Sequence, residues 1–148
     1  MTIIWKIKRF EELSATELYS ILQLRSKVFV VEQNCVYQDI DGKDLKALHL
    51  IGECGEKIVA YARMFNSGDY FENASIGRVV IDPDYRDRKW GFEMMENAIA
   101  GIEEHFGETK ITISAQLYLQ KFYEKLGFVT FGESYLEDEI PHIEMKRN

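Results

Sequence analysis

The chain has 148 residues, enough for one domain, and 46% of them are hydrophobic, enough to build a core. Twenty-five acidic against 18 basic residues give a formal charge of −7; this excludes general nucleic-acid binding, which relies on basic surface, and is compatible with a cationic substrate. Two prolines and ten glycines leave no low-complexity linker, and no apolar run is long enough to span a bilayer.

The start, Met1 to Lys6, lacks an apolar stretch and a small-residue cleavage site, so a soluble cytoplasmic protein of one domain, residues 1–148, is expected. Ile3, Trp5 and Ile7 alternate with Lys6 and Lys8 and predict a first strand. Ser14, with Glu17 three residues later, reads as a capping box opening a helix that continues through Leu18, Ile21, Leu22 and Phe29. Asn34 to Leu45 is polar and reads as a loop. Leu48–Cys54 and Lys57–Phe65 read as strands joined at Gly55-Glu56. Ile76 to Ile81 is an apolar run interrupted by Gly77 and Arg78, which predicts a buried strand with a bulge. A helix follows from Trp90, with Phe92, Met95, Ile99, Ile102 and Phe106 on one stripe and Gly107 as its C-terminal cap. Ile111, Ile113 and Ala115 mark another strand, and Leu119 to Leu126 a short helix that stops at Gly127. Phe128–Gly132 and His142–Met145 close the order β-α-β-β-β-α-β-α-β-β, which predicts a mixed α/β sheet.

The segment from Asp82 to Gly91 carries the clearest chemistry. A strand runs into a basic loop, which feeds a helix N-terminus. First-turn N–H groups have no partner within a helix, and the helix dipole favours an anion there, so the arrangement suits a pyrophosphate. Arg86, Arg88 and Lys89 add positive charge, and Gly91 permits close approach. Elsewhere, Asp39-Ile40-Asp41-Gly42-Lys43-Asp44 fails as a calcium loop, because Lys43 and Asp44 stand where Asp/Asn and Gly are needed. Cys35 and Cys54 form no metal spacing, three scattered histidines form no zinc set, and no metal is expected.

Arg86-Asp87-Arg88-Lys89-Trp90-Gly91 resembles the coenzyme A signature of the GNAT N-acetyltransferase superfamily, Arg/Gln-x-x-Gly-x-Gly/Ala. Arg86 fills the first position and Gly91 the last. Lys89 replaces the middle glycine, Trp90 a small aliphatic, and Asp87 a frequent glycine. Gln116 to Phe128 is similar to the superfamily's Asn-x-x-Ala-x-x-Phe/Leu-Tyr-x-x-x-Gly-Phe, with Gln116 at the Asn position and Tyr123, Gly127 and Phe128 matching directly. Leu24–Cys35, Tyr37–Gly42 and the tail Glu139–Met145 resemble the bacterial ElaA-like branch. The resemblance implies an α/β (α+β) fold with a mixed, mostly antiparallel seven-stranded sheet. Helices flank this sheet, and coenzyme A enters where it splays between its fourth and fifth strands.

It also implies a reaction: acetyl transfer from acetyl-coenzyme A, as co-substrate, to an amine of a small molecule or peptide. The amine must be neutral to attack the thioester, and the oxyanion needs donors. The resemblance supplies a backbone N–H within Val79-Val80-Ile81, and Tyr123 as the acid that protonates the departing thiolate. The cofactor set is completed by Arg86 through Gly91, Phe92 and Gln116. Arg25, Phe29, Glu32, Gln33, Tyr37, Asp39 and Asp41 are expected to line the acceptor pocket. Glu32 is the first candidate base, with Asp39, Asp41, His49, His142 or a water as alternatives. A homodimer is compatible with this reading. Two rivals stand beside it: a coenzyme A-binding regulator without catalysis, and an acyltransferase like the acyl-homoserine-lactone synthases, which Arg25-x-x-Val28-Phe29 faintly resembles.

Overall fold

The computed structural model describes residues 2–148. Strand β1 (Ile4–Arg9) leads to helix α1 (Ala15–Arg25), whose cap is the expected one. The Ser14 hydroxyl accepts from the Glu17 N–H at 3.0 Å, and the Glu17 carboxylate accepts from the Ser14 N–H at 2.9 Å. Glu17 also accepts from Lys8 at 2.8 Å, which ties α1 to β1. Beyond Arg25 the helix widens into π-type turns over Ser26–Glu32 that bury Val28 and Phe29. Such widened turns are rare and concentrate at functional sites; the sequence stripe had predicted an ordinary helix there.

Strands β2 (Leu48–Cys54), β3 (Lys57–Phe65) and β4 (Ala74–Ile81) follow as an antiparallel meander. Helix α2 (Trp90–Phe106) ends at Gly107, which takes φ 68°. Its buried face is Met94, Met95, Ala98, Gly101 and Ile102, while Phe92, expected on the stripe, is exposed. Phe92 lies in the first turn, before the helix reaches over the sheet. Gly101 lets α2 cross close to β1, since a Cβ there would stand 2.6 Å from Ile7 Cδ1. Strand β5 (Ile111–Gln116), helix α3 (Gln120–Glu124), strand β6 (Val129–Glu137) and strand β7 (Ile140–Arg147) complete the chain.

The seven strands form one sheet in the order β1-β2-β3-β4-β5-β7-β6. Every neighbouring pair is antiparallel except β4 and β5. Alternate residues feed opposite faces, as the strand period requires. Leu50, Ala60 and Ala62 pack with α2 and α3, while Ile51 and Tyr61 pack with Ile21, Leu24 and Phe29.

Two irregularities place the site. Strands β4 and β5 pair only at Ala74–Ile111 and Ser75–Thr112, and part thereafter. Just beyond, β4 carries the predicted bulge. Tyr61 pairs with Val80 and Arg63 with Gly77, so Arg78 and Val79 together oppose Ala62, and Arg78 takes φ 49°. A bulge leaves backbone groups outside the ladder and re-aims side chains.

Candidate active site

The parting between β4 and β5 opens into a cavity of about 710 Å³ that reaches both faces of the sheet. That volume suits a small-molecule or cofactor site. Val79, Val80 and Ile81 form its β4 wall, and Gln116 lies across from them on β5. Arg86, Gly91 and Tyr123 border it on the α2 and α3 side. Phe29, Glu32, Gln33 and Tyr37 border it on the α1 side.

At the α2 end, the loop over Pro83–Arg88 is a 3₁₀ segment, and the first turn of α2 has no side-chain cap. Its N–H groups therefore remain available to an anion. A Cβ on Gly91 would meet Phe122 at 3.6 Å and Ile81 at 3.8 Å, ordinary contacts. The chain's own packing does not require glycine there, and its absence of a side chain leaves the backbone open to a ligand. Lys89 adopts φ 58° and ψ 32°, so the residue at the middle-glycine position takes the left-handed turn a glycine would take. The residues present thus fit a pyrophosphate. Asp87, Arg88, Lys89, Trp90 and Phe92 belong to this loop and first turn but not to the cavity wall. Trp90 stacks on Tyr85 at 6.2 Å, and the Arg88 guanidinium covers both rings.

Tyr123 is 6% exposed, with Phe122 and Phe128 edge-on to its ring at 5.2 and 6.0 Å. Burial pushes its hydroxyl above the ordinary tyrosine value, so it stays protonated at neutral pH.

Part of the expected acceptor pocket is placed otherwise. Arg86 donates to both Glu32 oxygens, at 2.6 and 2.7 Å, and to the Ile81 carbonyl at 3.1 Å. The hydrogen bonds from Arg86 hold the Glu32 carboxyl below its ordinary value. The carboxylate so paired borders the cavity together with its partner. Arg25, Asp39 and Asp41 stand behind the cavity wall rather than on it. Arg25, fully buried, donates to Asp39 at 2.9 Å and Asp44 at 2.8 Å. Arg63 donates to Asp41 at 2.6 Å and Asp44 at 2.9 Å, and Arg78 reaches Asp39 at 2.7 Å. Three guanidinium groups thus balance three carboxylates, and these aspartates hold arginines rather than a substrate amine. His49 is sealed at 1% exposure between the Asp44 carbonyl, to which its Nε2 donates at 2.9 Å, and the Tyr61 hydroxyl at 2.6 Å.

Sequence reading did not place Ser114, Tyr135 and Glu137 at the site, yet they form a polar group with His142 across β5, β6 and β7. Ser114 and Tyr135 share a hydrogen bond of 2.5 Å, and Ser114 donates to Glu137 at 3.0 Å. Ser114, Glu137 and His142 all border the cavity. The predicted strand had stopped at Gly132; the observed one passes through a bulge there, with Gly132 at φ 78°, and continues to Glu137.

A sheet parted at its single parallel junction, with an uncapped helix N-terminus at the mouth of the parting, is the frame of a GNAT-fold acyltransferase. The comparisons agree. The family model described as an acetyltransferase (GNAT) domain matches residues 13–148. Protein ElaA of Escherichia coli is 44% identical over 145 residues, covering 97% of this chain and 95% of its own. The crystal structure of an acyl-CoA N-acyltransferase from Pseudomonas aeruginosa superposes with a TM-score of 0.94 at 40% identity, covering 99% of this chain and all of the other. The acyl-homoserine-lactone synthase LasI shares the fold alone, with a TM-score of 0.77 at 15% identity and coverage of 98% and 89%. The chain belongs to the GNAT acetyltransferase family, in its ElaA-like branch.

Proposed function

We propose that the chain transfers an acetyl group from acetyl-coenzyme A to a primary amine of a small molecule or peptide by direct attack on the thioester. The observation that carries this reading is the cavity. It runs from the uncapped first turn of α2, through the parting of β4 and β5, to the face lined by Phe29 and Tyr37. One ligand can thus enter from each side and meet at the split.

The α2 first turn, Arg86 and Gly91 would hold the pyrophosphate. Edge groups of β4 and β5 would pair with an extended pantetheine arm, with Gln116 beside it. Backbone N–H groups of Val79 to Ile81, next to the bulge, would meet the developing oxyanion. Tyr123 would give its proton to the departing thiolate.

The test is thiol release from acetyl-coenzyme A against a panel of amines, with calorimetry of coenzyme A binding alongside. Gly91→Asp, which adds bulk and negative charge at the cradle, should abolish binding; equal affinity would remove this placement. Tight binding with no thiol release from any amine would favour the non-catalytic binding module. Transfer of long acyl chains in preference to acetyl would favour the acyl-homoserine-lactone-synthase-like reading.

A further inference from the structure

Of the candidate bases, Asp39 and Asp41 are held by buried arginines, His49 is sealed and Glu32 is paired with Arg86, while His142 borders the cavity beside a carboxylate. His142, the third residue of β7, lies opposite Gln116 of β5 and Tyr135 of β6. Its ring is 6% exposed, borders the cavity and stacks on Tyr135 with centroids 6.3 Å apart. Nδ1 lies 2.7 Å from the Ile140 carbonyl. A carbonyl can only accept, so Nδ1 carries the proton, and in the neutral ring Nε2 carries the lone pair. Nε2 faces the Glu137 carboxylate at 3.5 Å, too far for a direct hydrogen bond but close enough to stabilise a charge. The other Glu137 oxygen is held by Ser114, whose own oxygen accepts from Tyr135. The donor chain Tyr135 to Ser114 to Glu137 therefore ends on a fixed carboxylate beside an imidazole of fixed tautomer.

We infer that His142 is the general base, and that Glu137 binds the substrate ammonium beside it, which makes the acceptor a cationic amine. This rests on the acetyl-transfer reading above. The ammonium docks on Glu137 and gives one proton to Nε2, and the imidazolium so formed is stabilised by Glu137. The freed nitrogen lone pair attacks the thioester carbonyl; the C–N bond forms and the C–S bond breaks, with its electron pair leaving on sulfur. The nitrogen loses two protons in all. The first passes through His142 to solvent. The second replaces the proton that Tyr123 gives to the thiolate.

Four measurements test the assignment. Nitrogen-15 NMR of the free protein should show the neutral His142 ring protonated at Nδ1; protonation at Nε2 would overturn the proposal without any substrate. With an amine that the parent acetylates, His142→Gln should lower kcat/KM by roughly 10²–10⁴-fold while coenzyme A affinity holds. His142→Ala should recover activity on addition of imidazole, which only a proton-transfer role predicts. Glu137 is half-exposed, so Glu137→Gln should fold normally, and it should raise KM for the amine at least as much as it lowers kcat. Full activity in His142→Gln, or no imidazole rescue in a folded His142→Ala, would refute the role of His142. A parent with no thiol release from any amine would overturn the underlying reading instead.

Discussion

At Lys89 a side chain occupies a backbone conformation that favours glycine. A non-glycine residue at φ 58° carries strain on the order of 1–3 kcal/mol, partly offset by the entropy a glycine would lose on folding. Lys89→Gly is therefore expected to stabilise the fold by about 1 kcal/mol, read as a higher urea midpoint with unchanged slope. An unchanged or lower midpoint would show that Lys89 makes compensating contacts. Tyr123 poses the converse case, a well-packed ring whose value lies in its hydroxyl. Tyr123→Phe keeps the edge-on packing against Phe122 and Phe128, so stability and coenzyme A affinity should hold. Loss of the proton should lower kcat by roughly 10²–10⁴-fold where chemistry limits turnover. Burial raises this hydroxyl above its ordinary value and makes it a weaker acid, which pulls the expected effect toward the lower bound. Full kcat in Tyr123→Phe would leave the residue a core aromatic.

At the scale of elements, the ion pair between Glu32 and Arg86 joins the end of the π-type turns to the loop before α2. Arg86 cannot serve a phosphate and both Glu32 oxygens at once. Glu32→Gln should free it and tighten coenzyme A binding, but modestly. Both side chains are more than 40% exposed, and exposed pairs are worth about 0.2–1 kcal/mol, so the dissociation constant should fall between about 1.4- and 5-fold. Calorimetry decides it, and weaker binding in Glu32→Gln would show that the pair preorganises the loop. These same elements show what the sequence could disclose. Strand alternation, the Ser14–Glu17 cap, the Gly107 stop and the interruption at Gly77-Arg78 are local signals, and the structure realises all of them. The arginine–aspartate network was hidden, because its partners lie up to 39 residues apart and meet only through the loop's path. The expected strand ends at Gly132, yet β6 passes through a bulge and pairs with β7 again from Tyr135 to Glu137, which brings Glu137 to the cavity. Phe92 misled because periodicity identifies an apolar stripe but not where along the helix the sheet ends.

For the whole molecule, the buried charges set the response to acid. Burial holds His49 below its ordinary value of 6.5. The unfolded chain therefore takes up that proton first, and stability falls as pH drops below about 6.5. Burial raises Asp41 and Asp44, but Arg63 on the first and Arg25 on the second more than reverse it, leaving both below their ordinary 3.8. A second loss should open as pH falls below about 3.8, again because the unfolded chain binds protons more readily. Urea midpoints across this range should show both steps, and His49→Gln should remove the upper one; a flat profile down to the carboxylate range would contradict the burial of His49. The edge strand β6 adds a difference in time rather than in energy. All nine of its residues are exposed, and it is paired on one side only. Its only backbone ladder is with β7, so its amides should exchange with deuterated solvent far sooner than those of the buried β2–β3 pair. Glu137, which borders the cavity, rides on that strand beside Tyr135, so this wall should be the more readily opened one. An amine seated against Glu137 should slow the exchange of β6 selectively, a signature that distinguishes occupation of this wall from binding elsewhere in the cavity.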